Sequence, residues 1–119
     1  MKAIAILASA AIIASASATA AQASPISRLQ AVRSAHEYLQ SEAFSLKGLV
    51  EQLKYEGFST SDATYGASHA GANWMKQAVR MAKNYLRTQP FSRSGMVEQL
   101  QYEGFTHAQA LHGAIGAGL

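Results

Sequence analysis

The sequence has 119 residues, ten Lys/Arg against seven Asp/Glu, and no cysteine. Without cysteine, disulfides are excluded, and so is attachment through a lipidated N-terminal cysteine; a fold this small must hold together by packing alone. A formal net charge of +3 is too weak a bias to name a partner.

The first segment reads as an export signal. Met1-Lys2 supplies a short positive start, Ala3 to Ala14 an apolar run, and small residues from Ser15 to Ala23 end in Ala21-Gln22-Ala23 before Ser24-Pro25. That order marks residues 1–23 as a cleavable signal peptide, with Ala18-Thr19-Ala20 as a second cleavage position. The alternative is an uncleaved anchor, and its apolar core falls short of the ~20 residues that span a bilayer. The expected product is exported: periplasmic, held in the cell envelope, or extracellular. From Ser24 onward nine Lys/Arg face seven Asp/Glu. Residues 28–71 carry four basic and five acidic groups, and residues 72–119 five basic and two acidic.

A repeat dominates the rest. Shifting the chain by 47 residues aligns Gln30–Gly71 with Gln77–Gly118 without a gap, and 23 of 42 positions are identical. The best-kept block is Gly48–Phe58 against Gly95–Phe105. A period of this size signals a repeated supersecondary unit, with one copy in residues 24–71 and the other in 72–119. Positions kept in both copies report what the module itself needs.

Each copy opens with a helix. Ala31, Val32, Ala35, Tyr38 and Leu39, repeated as Ala78, Val79, Ala82, Tyr85 and Leu86, form one stripe at helical spacing. It ends before Phe44, and in the second copy Pro90 forbids continuation. Ser45 and Ser92 suit the N-cap of a second helix, which buries Leu49, Val50 and Leu53 or Met96, Val97 and Leu100. Gly57 and Gly104 stand where a helix turns off through positive φ, and Phe58 and Phe105 follow as residues that pack back on the last turn. A third helix opens with Ser59-x-x-Asp62 or Thr106-x-x-Gln109, the second a capping-box spacing and the first a weaker version of it. Gly66 and Gly71 are expected to leave it short or frayed. The fold class is therefore all-α: two tandem copies of a small three-helix, helix-turn-helix-like module after a signal peptide. Units of about 42 residues fold alone only with difficulty, so the copies are expected to pack together with Trp74 near their junction.

The pattern Ala-x-x-Tyr-Leu, Phe-Ser-x-x-Gly-Leu-Val-Glu-Gln-Leu and Tyr-Glu-Gly-Phe-Ser runs through Ala35–Ser59. It returns through Ala82–Thr106 with Met96, Gln101 and Thr106 substituted. It resembles the Ltp-type host cell surface-exposed lipoprotein repeat, encoded largely by phages, prophages and bacteria. The resemblance implies small helix-turn-helix-like bundles and a role in superinfection exclusion, in which a surface-displayed protein hinders DNA delivery by an incoming phage. The implied partner is a protein of the envelope or of the phage injection machinery. This sequence departs from the pattern in having no lipid-bearing cysteine, so no lipid anchor is expected.

Enzyme chemistry finds little support. His36, His69, His107 and His112 do not correspond between copies, His107 and His112 share no helix face, and no acidic ligand accompanies them. They are expected to be exposed and unpaired. Ser45 and Ser92 lack a shared His as base. No cofactor, metal, small-molecule substrate or nucleic-acid partner is expected. The polar residues kept in both copies are the candidates: Arg33 and Arg80, Glu51 and Glu98, Gln52 and Gln99, Tyr55 and Tyr102, Glu56 and Glu103, with Gly57 and Gly104 as structural turns. Glu56 falls in the last turn of its helix, where the macrodipole disfavours an anion. Its partner is either a basic side chain of the module or a ligand. Three function classes fit: an interaction module at the envelope, a helix-turn-helix nucleic-acid binder, and a small structural or secreted protein. Export and the absence of a basic stripe weigh against the second.

Overall fold

The computed structural model describes residues 24–119, and the expected signal peptide, residues 1–23, lies outside them. Among the described residues there are six α-helices and no strand: α1 Pro25–Ser41, α2 Leu46–Tyr55, α3 Thr60–Ser68, α4 Trp74–Leu86, α5 Arg93–Tyr102 and α6 His107–Gly116. They fall into two compact units. One comprises residues 24–42 and 49–71, the other Ala43–Gly48 with Ala72–Leu119.

In the first unit, Ser24 caps α1 by accepting from Ser27 N–H at 3.0 Å. Pro25 follows at a position where its missing N–H costs nothing. The helix ends at Ser41, before Phe44 as expected. α1 packs on α3 through small residues: Ala31, Ala35, Ala63 and Ala67 are all fully buried. Gly66 is the point of closest approach, since a Cβ there would stand 2.6 Å from the Ala31 carbonyl carbon. The third helix is short, as expected, at nine residues, but Gly66 does not fray it. It is buried within a helix that continues to Ser68, and it lets two backbones meet. Gly71 lies beyond that helix at φ 78°.

The second unit repeats this packing. Ala78, Ala82, Ala110 and Ala114 are fully buried between α4 and α6, and a Cβ on Gly113 would stand 2.8 Å from Ala78. Met96, Val97, Leu100 and Phe105 complete a continuous apolar core with them. Asn73 caps α4, Ser92 caps α5, and Thr106 with Gln109 forms a complete capping box on α6. In the first unit Leu49 and Leu53 are fully buried. Val32, Leu39, Val50, Phe58, Val79 and Leu86 are only half-buried. The seam of α1 and α4 follows alanine, because only a methyl side chain fits beside a glycine at this spacing, and the larger residues flank it.

The glycine turns match bond for bond. Gly57 and Gly104 have φ 114° and 110°. Gly57 N–H donates to the Lys54 carbonyl at 3.0 Å and Phe58 N–H to the Leu53 carbonyl at 3.1 Å; the second copy has 2.9 and 3.1 Å at the equivalent bonds. This paired closure satisfies carbonyls that the helix end leaves open. It also fixes the direction in which the next helix departs.

Candidate interaction surface

Three of the residues kept in both copies form a hydrogen-bonded cluster around a helix end. In the first unit, Tyr38 Oη donates to Glu56 Oε2 at 3.0 Å and Ser34 Oγ to Glu56 Oε1 at 3.2 Å. Gln52 Nε2 lies 3.4 Å from Tyr38 Oη. In the second, Tyr85 Oη bonds to Glu103 Oε2, and Gln99 Nε2 donates to Tyr85 Oη at 3.1 Å and to Glu103 Oε2 at 3.3 Å. The carboxylate that the helix dipole disfavours is therefore held by hydroxyl and amide donors, not by the basic side chain or ligand expected from sequence. Burial pushes the Tyr85 hydroxyl up to about 12, with the Glu103 carboxylate adding to the effect. The Tyr38 hydroxyl is raised for the same first reason. Both keep their protons and serve as donors.

Tyr38, Tyr85 and Ser34 were absent from the sequence candidates. The signal was present: a tyrosine kept in both copies at the end of an apolar stripe carries a polar tip that needs a partner when covered. The carboxylate partner of each tyrosine lies 18 residues further along the chain.

The remaining candidates stand elsewhere. Glu51 is exposed and pairs with Lys54 at 3.5 Å within one helix, a contact of small energetic weight. Glu98 and Arg33 are exposed and Arg80 is half-buried. Tyr55 and Tyr102 are the most outward of the shared aromatics, at 67% and 86% exposure. Each sits in the last residue of its helix, immediately before the cluster glutamate.

Two further arrangements were not legible in sequence. His69, expected to be unpaired, stacks on Tyr65 at 3.9 Å between ring centroids, and the Arg28 guanidinium lies 4.8 Å over the same tyrosine. Ser45 also differs from Ser92. It is 1% exposed, and its hydroxyl donates to the Glu103 carbonyl at 2.7 Å while accepting from Gly48 N–H at 2.9 Å. Beside it, Phe44 N–H donates to Gln77 Oε1 at 3.1 Å. The 43–48 segment is thus stitched into the unit that holds α4, α5 and α6.

Among the described residues, no group of three His, Asp or Glu side chains is placed to hold a metal ion, and no helix is long and apolar enough to cross a membrane. Comparison with protein families finds two consecutive matches to the model described as host cell surface-exposed lipoprotein, over residues 28–69 and 73–113. No curated protein and no solved structure matches the chain.

Proposed function

The chain belongs to the host cell surface-exposed lipoprotein family, and from that membership we propose that it acts outside the cytoplasmic membrane by protein–protein contact, hindering DNA delivery by an incoming phage. The observation that carries the contact reading is the pair of tyrosines, Tyr55 and Tyr102, kept in both copies yet left largely in solvent. A module whose interior is closed by its own hydrogen bonds has no structural use for an exposed aromatic there. Tyrosine is also a residue favoured at the centre of protein interfaces. The order of charge, apolar run and small residues in 1–23 supports export. A sequence without cysteine offers no thiol for lipid attachment, so the proposal rests retention at the surface on affinity for a resident envelope protein.

The test is expression of the full-length gene in a susceptible host, followed by challenge with related phages while adsorption and DNA delivery are measured separately. Normal adsorption with blocked delivery is the expected result, and a Tyr55→Ala, Tyr102→Ala double variant should restore delivery at unchanged protein level. Normal delivery for every phage tried, at good expression, assigns the chain instead to the structural or secreted class.

A further inference from the structure

The 43–48 segment makes a contact that the rest of the chain has the parts to make a second time. Its receiving surface is Gln77 Oε1, the Glu103 carbonyl and the open side of Gly104; a Cβ at residue 104 would stand 2.6 Å from Ser45 Oγ. Every one of these residues is repeated 47 positions earlier, as Gln30, Glu56 and Gly57. The Glu56–Gly57 turn has the same hydrogen bonds and nearly the same φ as its counterpart. Yet Gln30 and Gly57 are exposed, and a Cβ on Gly57 would meet nothing within 4 Å among the described residues. On the inserting side, Phe44-Ser45 is repeated as Phe91-Ser92. Ser92 is exposed, with Ser94 Oγ at a long 3.4 Å.

We propose that the chain self-associates head to tail, the Phe91-Ser92 segment of one copy seating on Gln30, Glu56 and Gly57 of another in the way that Phe44-Ser45 seats on Gln77, Glu103 and Gly104. Phe91 N–H donates to Gln30 Oε1 and Ser92 Oγ to the Glu56 carbonyl, while Ser92 continues to cap α5. Two further features favour this occupant. Ile26 and Leu29, which flank Gln30 on α1, are 70% and 54% exposed, and at the equivalent positions of the occupied site the chain carries polar Asn73 and Lys76. An apolar border on the open site alone is what a site awaiting a second chain requires. The interface is heterologous, so it propagates unless the rotation closes a ring. The inference stands independently of any action on phages.

Sedimentation velocity of the purified protein from micromolar to millimolar concentration tests it. The wild type should show a concentration-dependent series extending past the dimer. Ser92→Asp keeps a good N-cap but removes the donor and sets a carboxylate against a carbonyl; Gln30→Lys removes the acceptor on an exposed helix face. Each variant alone should associate roughly tenfold more weakly or less, a loss of the size set by one hydrogen bond, with unchanged helical content. Mixed in equal amounts, the two variants should recover association but stop at the dimer, because each contributes one intact end. A wild type that stays monomeric throughout, a series unaffected by both variants, or a mixture no different from its components would each overturn the proposal.

Discussion

Ala31 of α1 and Gly66 of α3 are in backbone contact: a Cβ on residue 66 would lie 2.6 to 2.7 Å from the Ala31 carbonyl carbon, its oxygen and its own Cβ. Glycine within a helix ordinarily costs ~1 kcal/mol against alanine, so Gly66→Ala would stabilise an isolated helix. Here it should destabilise the first unit by about 1–3 kcal/mol through overpacking. Gly113→Ala should do the same in the second unit against Ala78. Chemical denaturation of both variants checks this, and a gain in stability at both positions would refute the close approach.

The caps at Ser45, Ser92 and Thr106, the Gly57 and Gly104 turns and the three-helix order were legible because each rests on chemistry within a few residues. The role of Gly66 was not, because a local reading counts only its helical cost and knows nothing of Ala31. The partner of Glu56 was missed for a related reason. Tyr38 and Glu56 are brought together by the turn between α1 and α2, and a tyrosine in an apolar stripe reads as core until its hydroxyl is placed. Ser45 and Ser92 are identical in sequence and differ only in what lies against them, which no local pattern can express.

Tyr85→Phe should cost about 1–3 kcal/mol, since it removes a hydroxyl bonded to a carboxylate and leaves Glu103 short of a donor. The pH dependence follows from the raised hydroxyl. Tyr85 moves from 10.0 to about 12 in the folded chain, so its contribution is fully present below pH 10 and is lost as pH climbs through 12. The wild type should lose stability across that window, and the Phe variant should lose less. Ultraviolet titration should show the step near 12 vanish in the variant.

Leu53 and Leu100 are fully buried at equivalent places, and truncating either to alanine should cost roughly 2–5 kcal/mol. Thermal and urea unfolding measure this directly. A loss below about 1 kcal/mol at both sites would mean that the second helices do not present these faces to the interior.

Asp62 is 4% exposed, and its Oδ1 has no hydrogen-bond partner among the described residues. At the equivalent place Gln109 reaches back to Thr106 N–H at 2.9 Å. Aspartate is one methylene too short for that bond. Asp62→Glu supplies the methylene, keeps an anion at the helix start and completes the capping box with Ser59. The expected gain is about 1 kcal/mol, measured as a rise in Tm.

The alanine seams carry a consequence for how these modules vary. Ala31, Ala35, Ala63 and Ala67 and their counterparts Ala78, Ala82, Ala110 and Ala114 are buried completely, and all four pairs are identical. Alanine has no rotamers to freeze on burial, so such a seam forms without that entropic loss. It also has no smaller neighbour in the genetic alphabet except glycine, so nearly every replacement is an enlargement and meets a backbone. Leu49 and Met96, equivalent and equally buried, show that the second helices accept exchange of shape. Drift in this lineage is therefore channelled: the first and third helices are held to their alanine line, and novelty accumulates on the faces of those helices turned to water, while the second helix and its glycine turn stay the best-kept block.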